Sequence, residues 1–218
     1  MGALLLMATF FGLIGAAGIS VYAMLAGNWK LARRILVSSV AGLLVYFGLL
    51  FGVSFASFQK TVKLNEEFCI WELCFSAPSM ETTKTIGIGA NQSIAQGRYY
   101  IVNVKIRSDA KRVIQTLQPE SVRVVAIDDH GRCYTFSVAG QKSLDAANSN
   151  PPLSLPWFHN LNPGESSERQ IVFDLPADTK NPSLEITEGQ WPTYLVIGDE
   201  NSFFHKKTRI RLNNNSAD

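Results

Sequence analysis

Residues 98–108, RYYIVNVKIRS, alternate apolar and polar side chains over eleven positions. Tyr100, Val102, Val104 and Ile106 fall on one face, and Asn103, Lys105 and Arg107 on the other. A two-residue period is that of a β-strand with one buried face, and the β-branched content agrees. Working outward, residues 121–127 are β-branched and alternate around Arg123. Asp128-Asp129-His130-Gly131 has turn composition, and residues 132–138 are the expected hairpin return. Asn162-Pro163-Gly164 is a further turn before an apolar strand at 169–175, which stops at Pro176. More strands are expected at 183–187, 193–197 and 206–212. Short strands separated by Gly, Pro and Asn clusters predict a mainly β domain, an antiparallel β-sandwich over 84–212. Residues 141–156 lack periodicity and read as a long loop with a helical turn near Asp145, and 213–218 as a flexible tail.

Upstream of that domain, residues 61–83 read as a linker carrying Cys69 and Cys74. Four residues separate the two cysteines, a loop that a disulfide can close outside the cytoplasm. The competing reading is a metal pair, but no further His or Cys stands at zinc-ligand spacing. Cys133 is then the odd one, expected as a buried thiol on a strand.

The first 60 residues are of a different kind. Residues 3–27 and 35–58 are uncharged runs, each longer than the roughly 20 residues that cross about 30 Å of hydrocarbon. All 18 acidic residues of the chain lie at or beyond Glu66. Two transmembrane helices are expected, joined by a short basic loop at 28–34 that holds Lys30, Arg33 and Arg34. A basic loop is retained in the cytoplasm, which places both termini and the β-domain on the extracytoplasmic side of the plasma membrane. A cleaved signal peptide fits poorly, because no basic residue precedes the first run and the run is too long. Gly12 and Ala16 in the first helix, and Gly48 and Gly52 in the second, are small residues four apart. That spacing serves close packing, of the two helices on each other or on another membrane protein. Neither run contains Asp, Glu or His, which argues against a proton or ion path through the hairpin.

The run Cys69-Ile-Trp-Glu-Leu-Cys74 ahead of the first long strand resembles the opening of the telokin-like, immunoglobulin-like domains of bacterial surface proteins. So does Leu161-Asn-Pro-Gly-Glu165 leading into Ile171-Val-Phe-Asp-Leu-Pro176. The resemblance spans residues 67–212 and implies an immunoglobulin-like antiparallel β-sandwich, here behind a two-helix transmembrane hairpin rather than the single anchor such domains follow. It brings no catalytic residues with it.

Other residues offer weaker chemistry. His130, His159 and His205 are far apart in turns or loops, and no HExxH, GxSxG or phosphate-loop spacing occurs. Asp128-Asp129 and Asp199-Glu200-Asn201 have calcium-type oxygens but not the EF-hand pattern. Lys207, Arg209 and Arg211 alternate along the last strand and form a candidate surface for anionic lipid or an acidic partner, which Lys105, Arg107 and Arg123 extend if their strands are neighbours. Trp157-Phe158, Trp191 and Phe203-Phe204 stand near loops, where they can form an aromatic contact rim or plug the ends of the sandwich, the second being the expected role. Beyond residue 60 the chain is near neutral, with 16 basic and 18 acidic side chains, so nucleic acid is not an expected partner. No cofactor or metal is expected. The expected role is a non-enzymatic, membrane-anchored interaction module whose partners are the lipid bilayer and a protein or a second copy. An accessory subunit of a membrane complex and an envelope hydrolase are the alternatives.

Overall fold

A computed structural model describes residues 2–115, 122–148, 160–189 and 191–213. The chain divides into two compact units. One comprises residues 1–58 with 189–206, the other residues 59–188 with 207–218.

The first unit is built on helices α1 (Gly2–Leu25) and α2 (Trp29–Phe55), antiparallel neighbours joined by a tight link. Both are long and apolar enough to cross a membrane. Few of their side chains are fully buried: Ala23 of α1, and Ala32, Tyr46, Leu50 and Ser54 of α2. The expected basic loop is shorter than predicted. Asn28 caps α2, its side chain accepting from the Leu31 N–H at 3.2 Å, so Lys30, Arg33 and Arg34 lie in the first turns of the helix. Charge does not interrupt a helix: Lys and Arg are good helix formers, so the helix begins at its Asn28 cap and not where the charged stretch ends. The far end differs by less, stopping at Phe55 rather than at residue 58.

The second unit is a β-sandwich. One sheet has the order β1 (Thr61–Val62), β9 (Arg209–Arg211), β8 (Ser183–Glu188), β5 (Val122–Ile127), β6 (Cys133–Tyr134). The other has β2 (Phe68–Ile70), β3 (Leu73–Ile86), β4 (Ser93–Ser108), β7 (Ser166–Leu175). A shared core joins them: Phe75, Tyr100, Val102, Val104, Ile106, Ile171 and Phe173 from one, Ala126, Leu184, Ile186 and Ile210 from the other. The four residues assigned to one face of 98–108 are all in that core. Pairing is antiparallel except between β1 and β9, which run parallel. The Asn162-Pro163-Gly164 turn leads into β7 with Gly164 at φ +78°, a left-handed conformation that glycine adopts without steric cost.

Several expectations are corrected. Residues 61–83 are not a linker, since β1, β2 and most of β3 lie there. Pro78 obscures β3 because proline cannot donate to a ladder; the register shifts between Ser76 and Ser79, a bulge that accommodates it. Residues 193–197 form no strand but a 3₁₀ turn at Thr193–Leu195, in the unit built on the helices. The returns at 132–138 and 206–212 shrink to β6 and β9. Part of the predicted loop 141–156 is helix, α3 (Val138–Asn148); residues 149–156 lie outside the described residues.

Helix α3 packs on the outer face of the second sheet, where Leu144 meets Tyr99, Val172, Ile86 and Ala95. It also closes an edge. Strand β7 ends its sheet, and the Gln141 amide binds its free side as a further strand would. Gln141 Oε1 accepts from the Val172 N–H at 3.0 Å, while Nε2 donates to the Gln170 carbonyl at 3.1 Å and to Asp145 Oδ1 at 3.0 Å.

Candidate functional site

Cys69 and Cys74 face each other across the β2–β3 hairpin and are joined by a disulfide, with Cα atoms 3.9 Å apart. Trp71 and Glu72 form the two-residue tip, and the Trp71 indole is exposed. Glu67 stands beside the bridge, but both its oxygens are held by Arg107: Nε to Oε1 at 3.0 Å and Nη2 to Oε2 at 2.8 Å. Those hydrogen bonds lower the Glu67 pKa. With two sulfurs bonded to each other and the carboxylate engaged, this group does not present a metal-ligand set. Arg107 binds Asp109 as well, at 3.0 Å.

The turn after β5 is organised by Asp128, whose side chain is buried. Its Oδ1 accepts from the backbone N–H groups of His130 and Arg132, both at 2.9 Å. Its Oδ2 accepts from Arg132 Nε at 2.7 Å and the Tyr134 hydroxyl at 3.1 Å. Burial alone raises a carboxyl pKa, but here the bonds from Arg132, Tyr134 and His130 outweigh it and hold Asp128 at about 2. Asp129 accepts from the N–H groups of Asn181 and Lys180, which lower its pKa and pin the β7–β8 connection. The pair thus acts through turn geometry, its oxygens occupied by donors. Asp199 Oδ1 likewise accepts from the Asn201 N–H at 2.7 Å.

Cys133 is exposed rather than buried. Tyr134, opposite Ala126, packs on the core, so its neighbour along a two-residue edge strand points the other way. His130 is exposed with Nδ1 4.0 Å from Asp128 Oδ2, and His205 Nδ1 lies 3.0 Å from the Lys206 carbonyl oxygen. His159, Trp157 and Phe158 lie outside the described residues. Asp174 accepts from the backbone N–H groups of Gln96 and Gly97 at 2.8 and 3.0 Å.

Lys207, Arg209 and Arg211 alternate with buried Thr208, Ile210 and Leu212. Arg209 is paired with Glu185 on the neighbouring strand at 3.2 Å, which neutralises the middle of the row. Lys105 and Arg107 do not extend it, because β4 belongs to the other sheet and Lys105 is paired with Glu168 at 3.2 Å. Arg123 shares the sheet, with β8 between its strand and β9.

On the helices, a β-carbon built at Gly12, Gly48 or Gly52 would meet nothing within 4 Å. These glycines therefore do not mediate a close α1–α2 approach. Gly12 and Ala16 instead line an open groove of about 470 Å³, together with Thr9, Arg34, Ser38 and Gly42. A second groove of about 500 Å³ lies on the sandwich, beside Glu81, Tyr100 and Lys180. Among the described residues, neither is lined by histidine, aspartate or cysteine.

No family model matches the chain, and no curated protein matches it. Among solved structures it is similar to a conserved hypothetical protein from Bacillus anthracis, at 14% identity and TM-score 0.46, over 57% of this chain and 89% of that one. An uncharacterized β-sandwich protein from Clostridium difficile 630 matches at 12% identity and TM-score 0.41, over 72% and 96%. The yjhA protein from Bacillus subtilis matches at 9% identity and TM-score 0.43, over 70% and 99%. Likenesses this distant say nothing of what this chain does. The telokin-like resemblance finds no family match.

Proposed function

We propose that the protein is a non-enzymatic interaction module: an immunoglobulin-like β-sandwich tethered to the plasma membrane by a two-helix hairpin and held on the extracytoplasmic side. The observation that carries this reading is the helix surface. Two apolar helices of 24 and 27 residues with few fully buried side chains are what a bilayer, rather than water, would solvate, and this supports the anchor. Lys30, Arg33 and Arg34 at the linked end favour the cytoplasm for that end, and the Cys69–Cys74 bridge suits an oxidising compartment for the sandwich. Asp128 and Asp129 are engaged in turns, and Arg107, Arg209 and Lys105 in ion pairs, so these groups are held in structural roles.

Chemical crosslinking in native membranes, gentle solubilisation and identification of what copurifies test the role. A stoichiometric partner in the alkali-resistant fraction is expected. Release of the protein by alkaline carbonate contradicts the anchor, and recovery of the chain alone contradicts the interaction role.

An accessory-subunit role is the second reading, favoured by the open space around Gly48 and Gly52. Under it, Gly48→Leu with Gly52→Leu releases a membrane partner; unchanged copurification argues against it.

A further inference from the structure

Residues 191–206 sit in the chain between β8 and β9, yet they pack on the helices rather than completing a strand. The Tyr46 hydroxyl of α2 donates to the Leu195 carbonyl. Ser54 and Ser202 hydroxyls are hydrogen-bonded at 3.3 Å, and the Lys206 N–H donates to Ser57 Oγ at 2.9 Å. The Phe204 ring stacks on Phe55 with centroids 5.2 Å apart and meets Phe51 edge-on at 5.7 Å. At the start of α1, Gly2 touches the same segment; a β-carbon there would collide with the Ile197 carbonyl and the Val196 side chain.

These contacts fix the segment's depth once the helices span. Counted from Ile35, the first residue past the basic turns, Tyr46 lies about 17 Å along the α-helix and Phe55 about 30 Å along it. A hydrocarbon core of about 30 Å therefore ends near Phe55. The segment's contacts run from Tyr46 to Ser57, which sets it against the outer leaflet, with Phe204 and Lys206 at the boundary between acyl chains and headgroups.

Its own chemistry agrees. Trp191 is 73% exposed and Phe204 65%, contiguous through ring stacking with Phe55, which is 66% exposed. Aromatic side chains are favoured at this depth and costly in water. The backbone bonds to itself in short turns, Leu195 N–H to Pro192, Val196 to Thr193, Asp199 to Val196 and Ser202 to Asp199, and the Phe203 N–H closes the segment on the Tyr194 carbonyl. Backbone partners within the segment are what a poorly hydrated environment demands. Its charged groups, Asp199, Glu200 and the exposed Lys206, belong at the headgroup side of that boundary, where they stay hydrated.

We propose that residues 191–206 form a third membrane-contacting element, a collar set into the outer lipid interface with Trp191 and Phe204 as its anchors. The proposal rests on the transmembrane reading of α1 and α2.

The test uses the full chain carrying Trp29→Phe, Trp71→Phe and Trp157→Phe, so that Trp191 alone fluoresces, reconstituted in phosphatidylcholine–phosphatidylglycerol vesicles with lipids brominated at defined acyl depths. Trp191 emission is expected to be blue-shifted and quenched about twofold or more, most by the shallowest bromines. A second variant, with Trp191→Phe and Phe204→Trp added, is expected to behave alike. The same protein in vesicles of unbrominated lipid is the unquenched control. Integrated, alkali-resistant protein whose Trp191 and Phe204→Trp reporters are both unquenched overturns the collar while leaving the anchor standing. So does shielding of both by a concentration-dependent dimer. Protein extracted by alkali overturns the collar and the anchor together.

Discussion

Asp128 shows how one side chain can order a turn that looks, in sequence, like a metal site. Four donors converge on its two oxygens, and its pKa falls from 3.8 to about 2. A carboxylate with a depressed folded-state pKa contributes stability that is present above the unfolded value and lost as pH falls through the folded one. The contribution is therefore complete at neutral pH and disappears between about pH 4 and pH 2. Asp128→Asn is expected to lower the denaturation midpoint at pH 7 and to flatten its dependence on pH within that window, as read by urea titration in detergent micelles. The Cys69–Cys74 bridge acts on the unfolded chain instead. Closing so short a loop is worth about 2 kcal/mol on the chain-entropy account, so reductant should lower the sandwich's stability by roughly that amount without loss of the fold. Equilibrium denaturation with and without reductant checks it. The pair was legible as a candidate because spacing is local, whereas the exposure of Cys133 was not, because it depends on where a two-residue edge strand ends.

Elements were legible where the hydrophobic period was long and clean. Strand β4 shows its core face directly, and β5, β7 and β8 fall within a few residues of their expected bounds. Strand β3 was hidden by Pro78 and by a run of Ser and Thr whose burial depends on neighbours on both sides. Helix α3 was hidden for another reason: it has few large apolar residues, and its polar Gln141 is buried because it serves a strand edge. One signal did exist, since Tyr99, Ile101 and Val172 put apolar groups on a face otherwise read as solvated, and such a face needs a cover. Gln141→Leu removes three hydrogen bonds and leaves the Val172 N–H and Gln170 carbonyl without that partner. A loss of about 1–3 kcal/mol is expected, with greater aggregation on partial denaturation as the β7 edge opens. Light scattering along a urea titration reads both; an unchanged midpoint would show that α3 does not guard the edge.

For the whole molecule, the division into an apolar hairpin and a near-neutral β-sandwich is written in where the charges lie, and length alone sets the helices apart. The assignment of residues 191–206 was not written there. Trp191 and Phe203-Phe204 read as sandwich plugs because an aromatic near a turn looks the same whether it covers a core or a helix end. Long-range partners, Tyr46 and Phe55 about 150 residues earlier, decide between the two, and no local pattern encodes them.

The central claim is a bilayer anchor with the sandwich on the extracytoplasmic side, and Cys133 offers a native reporter for it. Its thiol is exposed, while Cys69 and Cys74 are tied to each other. A membrane-impermeant maleimide added to sealed right-side-out and inverted membrane vesicles measures which side Cys133 faces. Labelling in right-side-out vesicles, and in inverted ones only after detergent, is the result predicted; labelling of intact inverted vesicles would place the sandwich in the cytoplasm and contradict the account.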